Sequence, residues 1–158
     1  MRTVVKAKRG RRSQSLPFAF WDTSAVVPLC GLQRESAKVR QVARAYRLTV
    51  WWGTSVEATS GFYRLKREGK LTATEIAQAL ERLNQLRGRW DEIAPSEAVR
   101  EMAERLLARH KLRAGDALQL AAALEWCSNR PRGKVFIGGD GDLLDAAETE
   151  GFACARLD

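Results

Sequence analysis

Four acidic residues are the strongest candidates for chemistry in this sequence. Asp22, Glu57 and Asp140 each follow a short apolar run, and Asp116 lies inside an alanine-rich one. Two carboxylates ~5 Å apart repel by roughly 3 kcal/mol at an effective dielectric of ~20. Four converging carboxylates therefore need protons, cationic neighbours or a bound cation to remain together. All-oxygen ligands favour Mg²⁺ or Mn²⁺ over zinc, and such an ion can activate water for attack on a phosphate ester.

The elements predicted around these acids would bring them to one edge of a sheet. Strands alternate with helices along the chain, which is typical of a three-layer α/β/α fold with a mostly parallel five-stranded sheet. Sites in such sheets form at the carboxyl ends of the strands, where these acids lie. The predicted strands cover residues 18–22, 48–52, 90–94, 134–137 and 152–157. The predicted helices begin at Thr23 or Ser24, near Val39, at Thr54, after the capping box of Thr72 and Glu75, after Ser96, at Ala114 and at Asp142.

Composition and length indicate one globular domain. The chain has 158 residues, 45% of them hydrophobic, and a domain of that length needs no disulfide or structural metal to fold. Its three cysteines lack the spacing of a zinc site, which favours reduced thiols and a cytoplasmic location. The single histidine, His110, argues against histidine-pair nucleases and multi-histidine zinc hydrolases. We expect no membrane span, because Asp22 interrupts the apolar run that follows the basic N-terminus.

The net charge of +8 is concentrated at the N-terminus. Residues 1–17 contain six of the 27 basic residues and none of the 19 acidic ones. We therefore divide the chain into a basic, disordered arm at residues 1–17 and a nearly neutral folded domain at residues 18–158. A basic arm suits a polyanion, since neutralised phosphates release counterions, and Arg9, Arg11 and Arg12 are its candidate RNA contacts. A solvated terminus without a ligand is the alternative interpretation.

Each acid also has a purely structural interpretation. Thr54 and Glu57 have the spacing of a capping box, in which Glu57 would only satisfy backbone N–H groups. Asp22 is consistent with a turn residue at a strand end, and Asp116 with a first-turn acid that interacts favourably with the helix dipole. Asp140 lies in a Gly-Gly-Asp-Gly-Asp segment whose composition alone predicts a turn. The metal interpretation gains weight because all four acids fall at the same end of one predicted sheet.

Four segments that contain these acids resemble, in order, those of the PIN-domain family, which includes the VapC-type toxins of toxin–antitoxin pairs. They are FWDTSA at residues 20–25, SVE at 55–57, RAGDALQLA at 113–121 and GDGDLLDAA at 139–147. The resemblance extends from about residue 18 to the end of the sequence. It implies a five-stranded parallel sheet between helices, a homodimer, and RNA cleavage that depends on Mg²⁺ or Mn²⁺. For a toxin, it also implies a cognate antitoxin that places a basic side chain among the acids.

The resemblance also implies roles for individual residues. Asp22 and Asp116 correspond to the core metal ligands. Glu57 and Asp140 correspond to the other two catalytic acids, which act on the metal directly or through water. Ser24 corresponds to a small hydroxyl residue that holds the orientation of the Asp22 carboxylate.

The sequence departs from the family pattern at Gly138, where the family usually has threonine or serine two residues before the last aspartate. A hydroxyl group is therefore missing near Asp140. Asp142, which is more simply the cap of the last helix, is then a candidate to assist or replace Asp140 as a metal ligand. Arg113, three residues before Asp116, is placed either to contact RNA phosphate or to compensate the charge of the acids.

Two functions follow from these patterns. The first is a metal-dependent endoribonuclease, the toxin of a type II toxin–antitoxin pair, in which metal-activated water hydrolyses RNA. The second is a catalytically inactive relative that binds RNA or a protein partner, which the glycine at position 138 favours. A receiver-like phosphoacceptor domain is a weaker interpretation, because its lysine is expected after a late strand and Lys134 precedes the strand. Trp52, near the proposed edge, is either a packing residue or a platform for an RNA base.

Overall fold

A five-stranded parallel sheet lies between two layers of helices. The structure, a computed structural model, describes residues 15–32, 35–139 and 141–157. The strands are β1 (Phe18–Trp21), β2 (Arg47–Trp51), β3 (Asp91–Ile93), β4 (Val135–Gly138) and β5 (Ala153–Arg156). The helices in the described ranges are α1 (Thr23–Val26), α2 (Ala37–Ala45), α3 (Thr54–Arg67), α4 (Ala73–Arg87), α5 (Glu97–Arg109), α6 (Ala114–Trp126) and α7 (Gly141–Glu150), and a 3₁₀ turn covers Val27–Cys30. The fold class predicted from the sequence is confirmed.

The direction in which the chain adds strands to the sheet reverses at β1. The order is β3-β2-β1-β4-β5, and every strand pair in this sheet is parallel. The chain moves from β1 outward through β2 to β3, and then crosses to the other side of β1 to form β4 and β5. In open parallel sheets, such a reversal of strand order marks the place where ligands bind, outside the carboxyl ends of the strands. Asp22 follows β1 directly at this position.

The side chains of the strands divide between two hydrophobic cores. Trp21 and Ile137 pack with residues of α1, α3 and α4 on one face of the sheet. Phe20 and Phe136 pack with residues of α5, α6 and α7 on the other face. Because successive side chains of a strand point to opposite faces, burial on both sides fixes the register of β1. The direction in which Asp22 leaves the end of that strand is therefore fixed by two cores.

Side-chain caps set the starts of several helices. Thr72 and Glu75 form the capping box predicted for α4, and the hydroxyl of Ser96 accepts the N–H of Val99 at the start of α5, as predicted. The cap predicted for α1, at Thr23 or Ser24, is wrong. Asp22 is the N-cap of α1, because its backbone is extended and its carboxylate accepts the N–H of Ser24 at 3.1 Å.

The thiols and the histidine lie away from this edge of the sheet or inside the cores. Cys30 and Cys127 are buried free thiols, and Cys154 is a partly buried one. Burial raises the pKa of Cys30 and of Cys154 to about 11, so neither is a reactive thiolate at neutral pH. His110 follows α5, and its Nε2 lies 2.7 Å from the carboxylate of Glu150 at the end of α7. Neither the cysteines nor His110 contribute to the group of acids.

Some of the sequence predictions fall outside the described ranges. They concern residues 1–14 of the basic arm, with Arg9, Arg11 and Arg12, and Asp140. Within residues 15–32, 35–139 and 141–157, no helix is both long and apolar enough to cross a membrane.

Candidate active site

Asp22 is a buried carboxylate at the carboxyl end of the central strand. Its side chain is only 5% exposed, and its Oδ2 accepts the backbone N–H of Ser24 at 3.1 Å and the Ser24 hydroxyl at 2.5 Å. Desolvation raises the pKa of Asp22 from 3.8 to about 6; the Ser24 hydrogen bonds oppose this rise and the charge of Glu57 adds to it. No lysine or arginine in the described part of the chain forms an ion pair with Asp22. The surroundings of Asp22 therefore disfavour its negative charge and favour its neutralisation by a proton or a cation.

Ser24 forms hydrogen bonds both with the Asp22 carboxylate and with the segment that follows β4. The Ser24 hydroxyl donates to Asp22 and accepts the N–H of Gly139 at 2.9 Å. A Cβ on Gly138 would lie 3.4 Å from the Cβ of Asp22 and 3.6 Å from the Oγ of Ser24. A hydroxyl residue at position 138 would therefore stand beside the hydroxyl that Ser24 already provides. The departure at Gly138 does not leave Asp22 without a hydroxyl donor.

Glu57 lies on the first turn of α3 and faces α1 and α6. Its Oε2 accepts the hydroxyl of Thr23 at 2.9 Å and the side-chain amide of Gln119 at 3.2 Å. The capping-box interpretation of Glu57 is wrong, because Gly53 is the N-cap of α3 and makes no side-chain capping bond. The carboxylate is therefore directed into the site by contacts between elements, away from the N–H groups of its own helix.

Gln119 joins three elements of the site and was not singled out by the sequence analysis. It is 1% exposed, and its Nε2 lies 2.8 Å from the Oγ1 of Thr23 and 3.3 Å from the Oγ1 of Thr54. One signal could have identified it: a single amide stands in an apolar run of α6, three residues after Asp116 and so on the same helix face.

Asp116 lies at the partly exposed start of α6, beside an open cavity. This cavity, of about 550 Å³, is lined by Lys111, Leu112, Arg113, Asp116 and Asp142. Asp142 lies in the first turn of α7, which begins at Gly141, so its interpretation as the cap of that helix is wrong. The cavity brings two cationic and two acidic side chains together. Lys111 is a basic residue that the sequence analysis did not single out.

The start of α6, at Gly115, lies close to the carboxylate of Glu57. A Cβ on Gly115 would lie 4.0 Å from the Oε1 of Glu57. Thr23, which directly follows Asp22, donates a hydrogen bond to Glu57. The three acids Asp22, Glu57 and Asp116 therefore belong to the same carboxyl edge of the sheet. Asp140, the fourth predicted acid, is outside the described residues.

The described acids suit a cation that keeps part of its water shell. Within the described ranges, no three His, Cys, Asp or Glu residues are close enough to enclose a metal ion. A structural zinc site, with four protein ligands, is therefore a poor fit. Mg²⁺ is usually held by one or two carboxylates together with waters and substrate phosphates. Asp22, buried without a cationic partner in the described chain, and the neighbouring Glu57 fit an ion of this kind.

Comparison with solved structures finds the same architecture in other proteins. FitAcB from Neisseria gonorrhoeae is 17% identical, with a TM-score of 0.61 over 89% of this chain and 98% of that chain. PAE2754 from Pyrobaculum aerophilum is 20% identical, with a TM-score of 0.60 over 87% of this chain and 89% of that chain. A toxin–antitoxin complex from Klebsiella pneumoniae is 20% identical, with a TM-score of 0.50 over 77% and 86% of the two chains.

These likenesses establish the fold. No protein-family model matches the chain, and no curated protein does. At 17–20% identity, a shared fold does not by itself transfer an activity, so function has to be argued from the site.

We predict that Asp22→Asn stabilises the metal-free protein at neutral pH. Because the folded-state pKa of Asp22 is about 6 and its ordinary value is 3.8, the folded protein binds this proton more tightly than the unfolded chain. The contribution of Asp22 to the free energy of unfolding is therefore lost as pH rises from about 4 through about 6. The full pKa difference corresponds to about 3 kcal/mol, and a neutral amide avoids this loss.

Urea unfolding in EDTA at a series of pH values measures this effect. The stability gained by Asp22→Asn over wild type should grow from near zero below about pH 4 to ~1–3 kcal/mol above about pH 6. Asp91→Asn, which neutralises an exposed carboxylate in β3, is the matched control and should show little such trend. A gain for Asp22→Asn that does not vary with pH would contradict the prediction.

Proposed function

We propose that this chain is an endoribonuclease of the PIN type that depends on Mg²⁺ or Mn²⁺ and hydrolyses RNA phosphodiester bonds. The observation that carries the proposal is the buried carboxylate of Asp22, beside Glu57 and without a cationic partner in the described part of the chain. Buried charge of one sign is unfavourable for folding, and such groups concentrate at functional sites. A divalent cation would offset the charge of both acids.

The residues of the site would divide between holding the cation and holding the substrate. Asp22, Glu57 and Asp116 would hold the ion between them, directly or through its waters, with Asp140 as the fourth acid and Asp142 as an assisting one. When bound, such an ion lowers the pKa of water and stabilises the leaving oxygen of a phosphate ester. Hydrolysis would form a bond between the water oxygen and phosphorus and break the bond between phosphorus and the leaving oxygen, which would take up the proton lost by the water.

Lys111 and Arg113 are suited to hold RNA beside the acids. Both are exposed and line the cavity that also contains Asp116 and Asp142. Cations next to a metal site attract the phosphate groups that the acids alone would repel. Arg113 thus has the first of its two predicted roles, contact with phosphate, in this proposal. The basic residues Arg9, Arg11 and Arg12 of the arm remain candidate RNA contacts.

We also propose that the protein is a toxin with an antitoxin partner. One of the similar structures is a toxin–antitoxin complex, although it shares 20% identity with this chain. Trp52, Val56 and Tyr63 lie on or just before α3 and are 51%, 64% and 41% exposed. Exposed apolar side chains so close to Glu57 support a protein-binding surface beside the site. The predicted homodimer and cytoplasmic location stay predictions.

A catalytically inactive module that binds RNA or protein is the second candidate function. Gly138 favours it, because this position lacks the hydroxyl that the resemblance implies. The Ser24 hydroxyl weakens that argument, because it lies 3.6 Å from where a Cβ at position 138 would stand and so supplies a hydroxyl to this part of the site. Metal-dependent cleavage of RNA by the wild-type protein separates the two candidates.

We predict Mn²⁺-dependent cleavage of a mixed RNA pool, abolished by EDTA. Asp22→Asn and Asp116→Asn should each lower the rate of cleavage by ~100-fold or more. Each substitution removes a carboxylate that holds the ion, which costs more than the loss of a residue that only orients one. Asp91→Asn, a change of the same type at an exposed position, should cleave like wild type. Cleavage products resolved by denaturing electrophoresis give the measurement.

Two results would contradict the ribonuclease proposal. One is cleavage by Asp22→Asn at the wild-type rate in preparations free of contaminating nuclease. The other is RNA binding without any metal-dependent product from the wild-type protein, which would favour the inactive module.

We further predict that Lys111→Ala and Arg113→Ala each weaken RNA binding, and that the loss of affinity for a given variant is the same whatever the RNA sequence. Each substitution removes a contact to phosphate, so the slope of log K against log salt should become less steep by about 1. Fluorescence anisotropy in EDTA measures binding without cleavage. Arg132→Ala, an exposed arginine in the turn before β4 and so at the opposite edge of the sheet, is the control. An equal effect of Arg132→Ala would contradict a phosphate-binding role for this cavity.

A further inference from the structure

We infer that Gln119, together with Thr23, is a positioning residue that fixes the Glu57 carboxylate so that its Oε1 faces the cation. The inference rests on the proposed metal site and identifies residues that control it without touching the ion. Gln119 comes from α6, Thr23 from α1 and Glu57 from α3. The contact among them therefore forms only when three separate elements have docked.

The orientation of the Gln119 amide is determined by its neighbours. Its Nε2 lies 2.8 Å from the Oγ1 of Thr23, 3.2 Å from the Oε2 of Glu57 and 3.3 Å from the Oγ1 of Thr54. Exchanging the amide nitrogen and oxygen would place a carbonyl oxygen against a carboxylate, which is repulsive. The amide is therefore the donor, and its strongest electrostatic partner is the charged oxygen of Glu57.

Both donors contact the same oxygen of Glu57. Oε2 accepts from Thr23 at 2.9 Å and from Gln119 at 3.2 Å. Within the described chain, no side chain donates to Oε1, and a Cβ built on Gly115, at the start of α6, would lie 4.0 Å from it. The carboxylate thus has one oxygen that accepts two side-chain hydrogen bonds and one that lies near the start of α6, the helix that carries Asp116.

The Asp22 carboxylate is held in the same way. Its Oδ2 accepts both the N–H and the hydroxyl of Ser24, and no described side chain donates to its Oδ1. The backbone N–H of Thr23 also lies close enough to the Asp22 carboxylate to lower its pKa. In both acids, therefore, the donor side chains contact one oxygen and leave the other without a side-chain donor among the described residues. This matching arrangement is expected where second-layer donors set the geometry of metal ligands.

Gln119 is a poor choice for packing, which supports a role in the site. Its Oε1 is buried and accepts no hydrogen bond from the described residues. The neighbouring buried positions of α6 are alanine and leucine, so an apolar side chain would suit this helix face. A buried acceptor left unpaired is unfavourable for folding, and such violations of local rules concentrate at functional sites.

The test measures Mn²⁺ binding to the full chain by isothermal titration calorimetry. Gln119→Met keeps the length of the side chain but removes the donor, and it should weaken Mn²⁺ binding by about 10–100-fold. Its circular dichroism spectrum should stay that of the folded protein. Gln78→Met, the same change at an exposed position of α4, should bind Mn²⁺ like wild type. A folded Gln119→Met protein with wild-type affinity would overturn the inference.

A second pair of variants decides the matter if Gln119→Met fails to fold. Thr23 is only partly buried, so Thr23→Val and Thr23→Ser are both expected to fold. Thr23→Val removes the hydroxyl and should weaken Mn²⁺ binding, whereas Thr23→Ser keeps it and should retain most of the affinity. Equal affinities for the two variants would overturn the inference.

A double variant separates positioning from a general structural effect. In a Glu57→Ala background, Gln119→Met should cause no further loss of Mn²⁺ affinity, because the group that it orients is gone. An equal loss in both backgrounds would show that Gln119 acts elsewhere and would overturn the inference. Wild-type protein that binds no Mn²⁺ would overturn the proposed metal site itself. If the wild-type protein binds Mn²⁺ and Gln119→Met binds it with the same affinity, only the positioning role of Gln119 would be overturned.

Discussion

The carboxylate of Asp22 is held away from water at the end of the central strand. Burial of its negative charge is unfavourable, and the residues around it offset this only in part. Two cores fix the strand that presents it, so the side chain cannot turn outward without disturbing one of them. Ser24 supplies two hydrogen bonds to one oxygen of Asp22, yet burial still raises its pKa to about 6. The folded chain thus stabilises this group incompletely and leaves a place where a cation is favourable.

The polar residues around Asp22 form two small networks, built on the adjacent residues Ser24 and Thr23. One runs from Gly139 through Ser24 to Asp22, and the other from Gln119 and Thr23 to Glu57. Each network occupies one oxygen of its acid. The second network includes an unpaired buried oxygen, that of the Gln119 amide, which a protein optimised for stability alone would replace. Stability and the proposed chemistry therefore place opposite demands on the same residues.

The sequence predicts those features that depend on local patterns. The alternating strands and helices, the capping box at Thr72 and the cap at Ser96 follow from short-range spacing, and the structure has all of them. Asp22 stands out for the same reason, because it directly follows a short apolar run that predicts a buried strand.

The contacts of Gln119 and Glu57 were not predictable in this way. They join residues 23, 54, 57 and 119, which only the docking of α1, α3 and α6 brings together. The spacing of Thr54 and Glu57 predicted a local capping box. The box does not form because Gly53, and not Thr54, is the N-cap of α3, so Glu57 is free to make the long-range contacts. Similarly, Asp22 replaced its neighbours as the cap of α1 because the end of a strand has the extended backbone that a cap requires.

Anomalous diffraction from crystals grown with Mn²⁺ above pH 7 tests the central claim most directly. We expect an anomalous peak within coordination distance of a carboxylate oxygen of Asp22, with the Oε1 of Glu57 facing the ion directly or through one water. Crystals with Mn²⁺ bound elsewhere, or with none at Asp22 under saturating Mn²⁺, would contradict the claim that this buried charge exists to hold a cation.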